Sequence, residues 1–151
     1  MAYNVLIVED NFISAKYLQL IIQSCKSFKV LAITQDIKSS KKILKEKKID
    51  LVFIDMKLKN GDYGGKLALD IAKNYPNIII AIATAYHDKK MLEDAADANA
   101  FCYHLNPKFA LANTSSVSVI SSRGHRIKAS THPPGAPTFF FNTPATKHRH
   151  I

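Results

Sequence analysis

Over the first 105 residues, short apolar runs alternate with longer stretches in which apolar residues return every three or four positions. Tyr3-Asn-Val-Leu-Ile-Val8 is almost entirely β-forming, and an apolar run without alternation predicts a strand covered on both faces. From Asn11 to Cys25 the residues Phe12, Ala15, Leu18, Ile22 and Cys25 recur at helical spacing, which predicts a helix with one apolar side. The same order then repeats. A strand over Lys29 to Thr34 leads to a lysine-rich helix over about Ile37 to Lys47, and a strand over Leu51 to Ile54 ends at Asp55. Gly61, Gly64 and Gly65 mark a loop, after which Leu67, Ala68, Ile71 and Ala72 give the next helix its apolar side until Pro76-Asn77 ends it. A strand over Ile78 to Ala83, a helix over Lys89 to Ala98 and a strand over Ala100 to Leu105 complete the series.

Repeated strand-helix units with short links predict an α/β fold: a doubly wound, parallel five-stranded sheet with helices on both faces and right-handed crossovers. Ligands of such sheets sit beyond the carboxyl ends of the strands, where the strand order reverses. The fifth helix is missing or atypical. After Asn106-Pro107 the chain reads Asn113-Thr-Ser-Ser-Val-Ser-Val-Ile-Ser-Ser122, in which β-branched and cap-forming residues disfavour a helix. Beyond Arg123 come a glycine, Pro133-Pro-Gly135 and Phe139-Phe-Phe141, with no period. The expected organisation is therefore one domain over residues 1–109 and a basic Ser/Thr/Pro-containing tail over residues 110–151. That tail is expected to be disordered for most of its length and forms no recognisable output domain. A sheet short of one helix leaves apolar surface open, which predicts homodimerisation, aggregation or partial replacement by the segment Phe109 to Ile120.

Composition refines this picture. A chain of 151 residues, 47% of them hydrophobic, has the length of about one domain and enough apolar residues for a core, which excludes fibrous and wholly disordered classes. The net charge of +9 and pI near 9.6 would suggest attraction to nucleic acid. Residues 1–111, however, hold 16 Lys/Arg and all 12 acids, for +4, whereas residues 112–151 hold 5 Lys/Arg and no acid, for +5. Five charges over that length is sparse and no helix-turn-helix pattern is visible, so nucleic acid is not the expected partner. A competing reading is that the acid-free tail is a frame-shifted translation of the missing helix. The Lys41 to Lys48 run reads as a solvated helix face or a docking patch. The tail histidines His125, His132, His148 and His150 lack regular metal-ligand spacing. Ile78 to Ala83 is far too short to span a bilayer, and Met1 to Val8 carries no cationic leader. Cys25 and Cys102 have neither metal-ligand nor disulfide-framework spacing. A cytoplasmic location is the resulting expectation.

The acids at the strand ends carry the chemistry. The first strand delivers Glu9 and Asp10, the third Asp55, the fourth Thr84, and the fifth runs into Asn106-Pro107. Carboxylates brought to one mouth repel and call for a cation, and an all-oxygen site suits Mg²⁺. A carboxylate beside Mg²⁺ can attack a phosphoryl group, and a hydroxyl such as that of Thr84 can hydrogen-bond the group transferred.

Val5-Leu-Ile-Val-Glu-Asp-Asn11, Asp50-Leu-Val-Phe-Ile-Asp-Met-Lys-Leu58, Ala83-Thr-Ala85 and Tyr103-His-Leu-Asn-Pro107 resemble, in order and separation, the receiver domain of two-component response regulators. The resemblance covers about residues 3–109. It implies a flavodoxin-like (βα)₅ fold and a signalling rather than metabolic role, in which a phosphoryl group passes from a histidine kinase or phosphotransfer protein to an aspartate. Position by position, it implies Asp55 as phospho-acceptor, Glu9 and Asp10 as the acid pair for Mg²⁺, and the Lys57 backbone carbonyl as a further metal ligand. It also implies Thr84 as the switch hydroxyl and Tyr103 as the switch aromatic. Asn106 stands where the family has a lysine, and an amide donates a hydrogen bond without carrying charge. Two alternatives follow: a pseudo-receiver that binds a protein partner and switches poorly, or a receiver with a nucleic-acid-binding basic tail.

Overall fold

The computed structural model describes residues 2–84, 89–104, 117–121, 126–132 and 136–138. In chain order these form β1 (Tyr3–Val8), α1 (Phe12–Gln23), β2 (Phe28–Thr34), α2 (Ile37–Glu46), β3 (Leu51–Ile54), α3 (Gly64–Asn74), β4 (Ile79–Thr84), α4 (Lys89–Asp97) and β5 (Phe101–His104). Three further strands follow: β6 (Val117–Ser121), β7 (Arg126–His132) and β8 (Ala136–Thr138). A short 3-10 turn, Lys59–Gly61, lies between β3 and α3.

The parallel part of the sheet runs β2-β1-β3-β4-β5, with one register shift, between Val5 and Leu6 where β1 pairs with β2. The chain passes from β1 outward to β2 and then returns to the other side of β1 as β3, so the order reverses between β1 and β3. This is the predicted doubly wound arrangement, and it sets the ligand mouth at the carboxyl ends of those two strands.

Alternation along β1 divides the core. Val5 and Ile7 pack with Leu18 and Ile22 of α1 and with Leu51 and Phe53 of β3. Leu6 and Val8 face the opposite side, with Leu44 of α2, Leu67 and Ile71 of α3, and Met91 and Ala95 of α4. Residues 5–8 of β1 are wholly buried, which explains why the strand is an unbroken apolar run. α1 begins at an Asn11 cap, whose side chain accepts from the Ser14 N–H at 3.0 Å, and α2 at an Asp36 cap, whose side chain accepts from the Ser39 N–H at 2.8 Å.

One expectation is revised. Phe12, expected on the inward side of α1, is 68% exposed, because it opens the helix directly after the strand-end turn and only from Ala15 does the inward row cover the sheet. Beyond residue 110 the described residues extend the sheet: β6 pairs antiparallel with β5, β7 with β6 and β8 with β7. The β-branched residues that weaken a helix over Val117-Ser-Val-Ile-Ser121 favour an extended chain just as strongly. The position of the expected fifth helix, together with Asn106, falls outside the described residues.

Candidate functional site

The sheet continues one residue past its strands at the mouth. The Glu9 N–H donates to the Thr34 carbonyl and the Asp55 N–H to the Val8 carbonyl, each at 2.9 Å. Main-chain bonds across β2, β1 and β3 therefore fix where the acids begin. Glu9, Asp10 and Asp55 each offer a carboxylate oxygen within 4.8 Å of the others. Glu9 is only 7% exposed, whereas Asp10 and Asp55 are half-buried.

Burial pushes the Glu9 carboxyl up from 4.5 to about 7, and the charges of Asp55 and Asp10, with a hydrogen bond shared with Asp10, act in the same direction. The Asn11 N–H, donating to Glu9 Oε1 at 2.9 Å, opposes the rise. Near neutral pH the mouth thus holds a proton weakly where a cation could replace it. Three hard oxygen donors in this charge state fit Mg²⁺ well.

Asp55 is followed by a loop that folds back on itself. The Leu58 N–H donates to the Asp62 carbonyl at 3.0 Å and the Gly64 N–H to the Met56 carbonyl at 2.9 Å, with Lys57 and Tyr63 paired between them as an antiparallel bridge. In a pair flanked this way, the N–H and C=O of each residue point away from its partner. The Lys57 N–H accordingly turns toward Asp55 Oδ1, at 3.4 Å, and its carbonyl takes the same side. Positive φ angles at Asn60 (62°) and Gly61 (74°) close the turn. Gly64 lets α3 start against the sheet, since a Cβ there would collide with the Asp55 carbonyl oxygen and lie 2.9 Å from the Ile54 side chain.

The structure therefore brings together Glu9, Asp10, Asp55 and the Lys57 main chain. Thr84 closes β4, the strand next to β3, in register with His104, and Tyr103 lies opposite Ala83 on β5, one strand further out. Two residues escaped the sequence reading. Asn11 links the mouth to α1 through its main chain and side chain together. Tyr63, in the glycine-flanked loop, donates from its hydroxyl to Asp94 Oδ2 at 2.7 Å. A cap-forming residue directly after an acidic pair was a usable signal for the first; for the second, the sequence offers no link between positions 63 and 94.

A parallel, doubly wound α/β sheet with three carboxylates gathered at its switch point defines the class of domain. The sequence profile of the response regulator receiver domain matches residues 5–107, and the chain belongs to this family. It is similar to the transcriptional regulatory protein CitT of Bacillus subtilis (strain 168), with 29% identity over 104 residues, 69% of this chain and 46% of that protein. The chain thus spans about half the length of that curated relative. Among solved structures it is similar to the response regulatory domain of protein mrkE from Klebsiella pneumoniae, at 29% identity and TM-score 0.61, covering 69% of this chain and 83% of that one. It is also similar to a response regulator from Thermotoga maritima, at 25% identity and TM-score 0.61, covering 71% and 87% of the two chains. Membership makes this a receiver domain of two-component systems. Among the described residues no helix is long and apolar enough to cross a membrane.

Proposed function

We propose that this receiver domain accepts a phosphoryl group on Asp55 from a histidine kinase or phosphotransfer protein in the cytoplasm, with Mg²⁺ held by Glu9, Asp10, Asp55 and the Lys57 carbonyl. The observation that carries the reading is the trio of carboxylate oxygens within 4.8 Å at the switch point of a receiver fold. A carboxylate oxygen of Asp55 attacks phosphorus in line, the new O–P bond forms as the N–P bond of the phosphohistidine breaks, and the electron pair leaves on the imidazole nitrogen. Mg²⁺, when bound, neutralises the phosphoryl oxygens as charge shifts across them. To serve as a ligand Glu9 would have to be ionised, and the sheet holds the Glu9 and Asp55 main chains in place against the repulsion of the acids. In this reading Thr84 supplies the hydroxyl for the phosphoryl group and Tyr103 the aromatic that follows its movement.

Asn106 favours a second reading, in which the domain is a protein-binding module that switches poorly. An amide in place of the family lysine provides hydrogen bonds but no charge to stabilise the phosphoryl group. The experiment is incubation with Mg²⁺ and acetyl phosphate followed by intact mass. One added phosphoryl group, absent in Asp55→Asn and in EDTA, is expected. Equal labelling of Asp55→Asn would overturn the acceptor assignment, and a labelled protein whose hydrogen exchange matches that of the unlabelled one would select the second reading.

A further inference from the structure

Outside the carboxylate mouth, a polar arrangement among the described residues joins the loop after Asp55 to α4. Asp94 of α4 is 8% exposed, and it accepts from the Tyr63 hydroxyl at 2.7 Å and from the Lys90 ammonium at 2.9 Å on the same oxygen, Oδ2. Lys90 Nζ also lies 5.6 Å from the centre of the Tyr63 ring. The opposite constraint comes from α3: a Cβ on Gly65 would collide with the Tyr63 ring, so the glycine gives the ring room beside the start of the helix. The Lys90 and Tyr63 contacts hold the Asp94 carboxyl below its usual range, which keeps it ionised and the hydroxyl bond charge-assisted.

The main chain of Tyr63 faces a different partner. It pairs with Lys57, and the hydrogen bonds that flank this pair aim the Lys57 carbonyl to the side of Asp55. One residue is thus fixed by its side chain to α4 and by its backbone to the loop that presents a proposed metal ligand. α4 is itself seated in the core through Met91 and Ala95, with Ala98 directly after it. We infer that Tyr63 is a positioning residue for the cation site: its bond to Asp94 anchors the 56–63 loop to α4, so that the aim of the Lys57 carbonyl and the seating of α4 are coupled. This rests on the reading of Glu9, Asp10, Asp55 and Lys57 as the Mg²⁺ site. Loss of the hydroxyl leaves Asp94 paired with Lys90, so the core of α4 stays in place while the loop is freed.

The test uses the full chain and its Tyr63→Phe, Asp94→Asn and double variants. Mg²⁺ binding is followed by calorimetry without phosphodonor, and the exchange of amides 56–63 and 94–98 is followed with and without Mg²⁺. In Tyr63→Phe the half-saturating Mg²⁺ concentration is expected to rise roughly tenfold, as for outer partners of metal ligands generally. Labelling by acetyl phosphate at saturating Mg²⁺ should stay at the wild-type level. Mg²⁺ should slow exchange in both segments of the wild type but only in 56–63 of the variant. The double variant should bind no more weakly than either single one. Unchanged Mg²⁺ affinity in Tyr63→Phe, or losses that simply add in the double variant, would overturn the proposal and leave a purely structural tie. Mg²⁺ bound equally well by Asp55→Asn would instead remove the cation site itself, and this inference with it. Tyr63-dependent Mg²⁺ binding without labelling would sink the acceptor assignment alone.

Discussion

Replacing Glu9 by Gln should make the metal-free protein more stable at alkaline pH. The native fold raises the Glu9 carboxyl from 4.5 to about 7, mainly by burial. Between those values the native state binds more protons than the unfolded chain, so stability falls as pH rises through this window and the loss is complete above it. A shift of that size corresponds to about 3 kcal/mol, of which about 2.5 kcal/mol falls between roughly pH 5 and pH 8. Gln keeps an oxygen for the Asn11 N–H but has no proton to lose. Urea unfolding in EDTA at those two pH values is the assay. Histidines also titrate in this range, and their effect cancels when wild type and variant are compared. Asp36 and Asp94, both lowered in the fold, add stability that is lost only as pH falls through their native values, outside the window. The expected result is that wild type loses about 2.5 kcal/mol more than Glu9→Gln on going from pH 5 to pH 8. Mg²⁺ at about a hundred times its dissociation constant should return a similar amount to the wild type. Parallel pH profiles for the two proteins would refute the argument that burial and neighbouring acids strain this carboxylate.

Gly64→Ala should cost about 2 kcal/mol or more in urea unfolding, because its methyl group meets the rigid Asp55 carbonyl rather than a movable side chain. It should also impair labelling by acetyl phosphate; a variant as stable and as readily labelled as wild type would contradict the tight start of α3. Ser40→Ala removes a buried hydroxyl that lies 2.7 Å from Thr34 Oγ1 and 2.6 Å from the Asp36 carbonyl, and should cost about 1–2 kcal/mol by the same measurement. Asn11→Ala deletes the α1 cap and should cost about 1 kcal/mol while leaving the main-chain bond to Glu9 intact, so Mg²⁺ affinity should change little.

The elements legible in the sequence were those whose burial leaves a simple period. β1 and β3 are covered on both faces and read as unbroken apolar runs, and the inward rows of α3 and α4 recur at helical spacing. Glu9, Asp10 and Asp55 were legible because a parallel sheet delivers the residues after its strands to one end, which turns positions distant in the chain into neighbours. Phe12 was misread because helical periodicity says nothing about where a helix first overlaps the sheet. The bond between Tyr63 and Asp94 depends on how α3 and α4 lie side by side, a tertiary relation with no local trace. Beyond Val117 the residues carried real β propensity, but the absence of a hydrophobic period concealed which neighbours the strands would take.

The hydrogen bonds that carry the sheet ladder past β1 and β3 make the site as stiff as the core beneath it. Carboxylates on a hinged loop could relieve their repulsion by small local openings, whereas the Glu9 and Asp55 main chains can separate only if β1 pulls away from β2 or β3. Opening the site and unfolding the domain then become one cooperative event. Tuning affinity at this mouth and tuning the lifetime of the whole fold are consequently the same engineering problem.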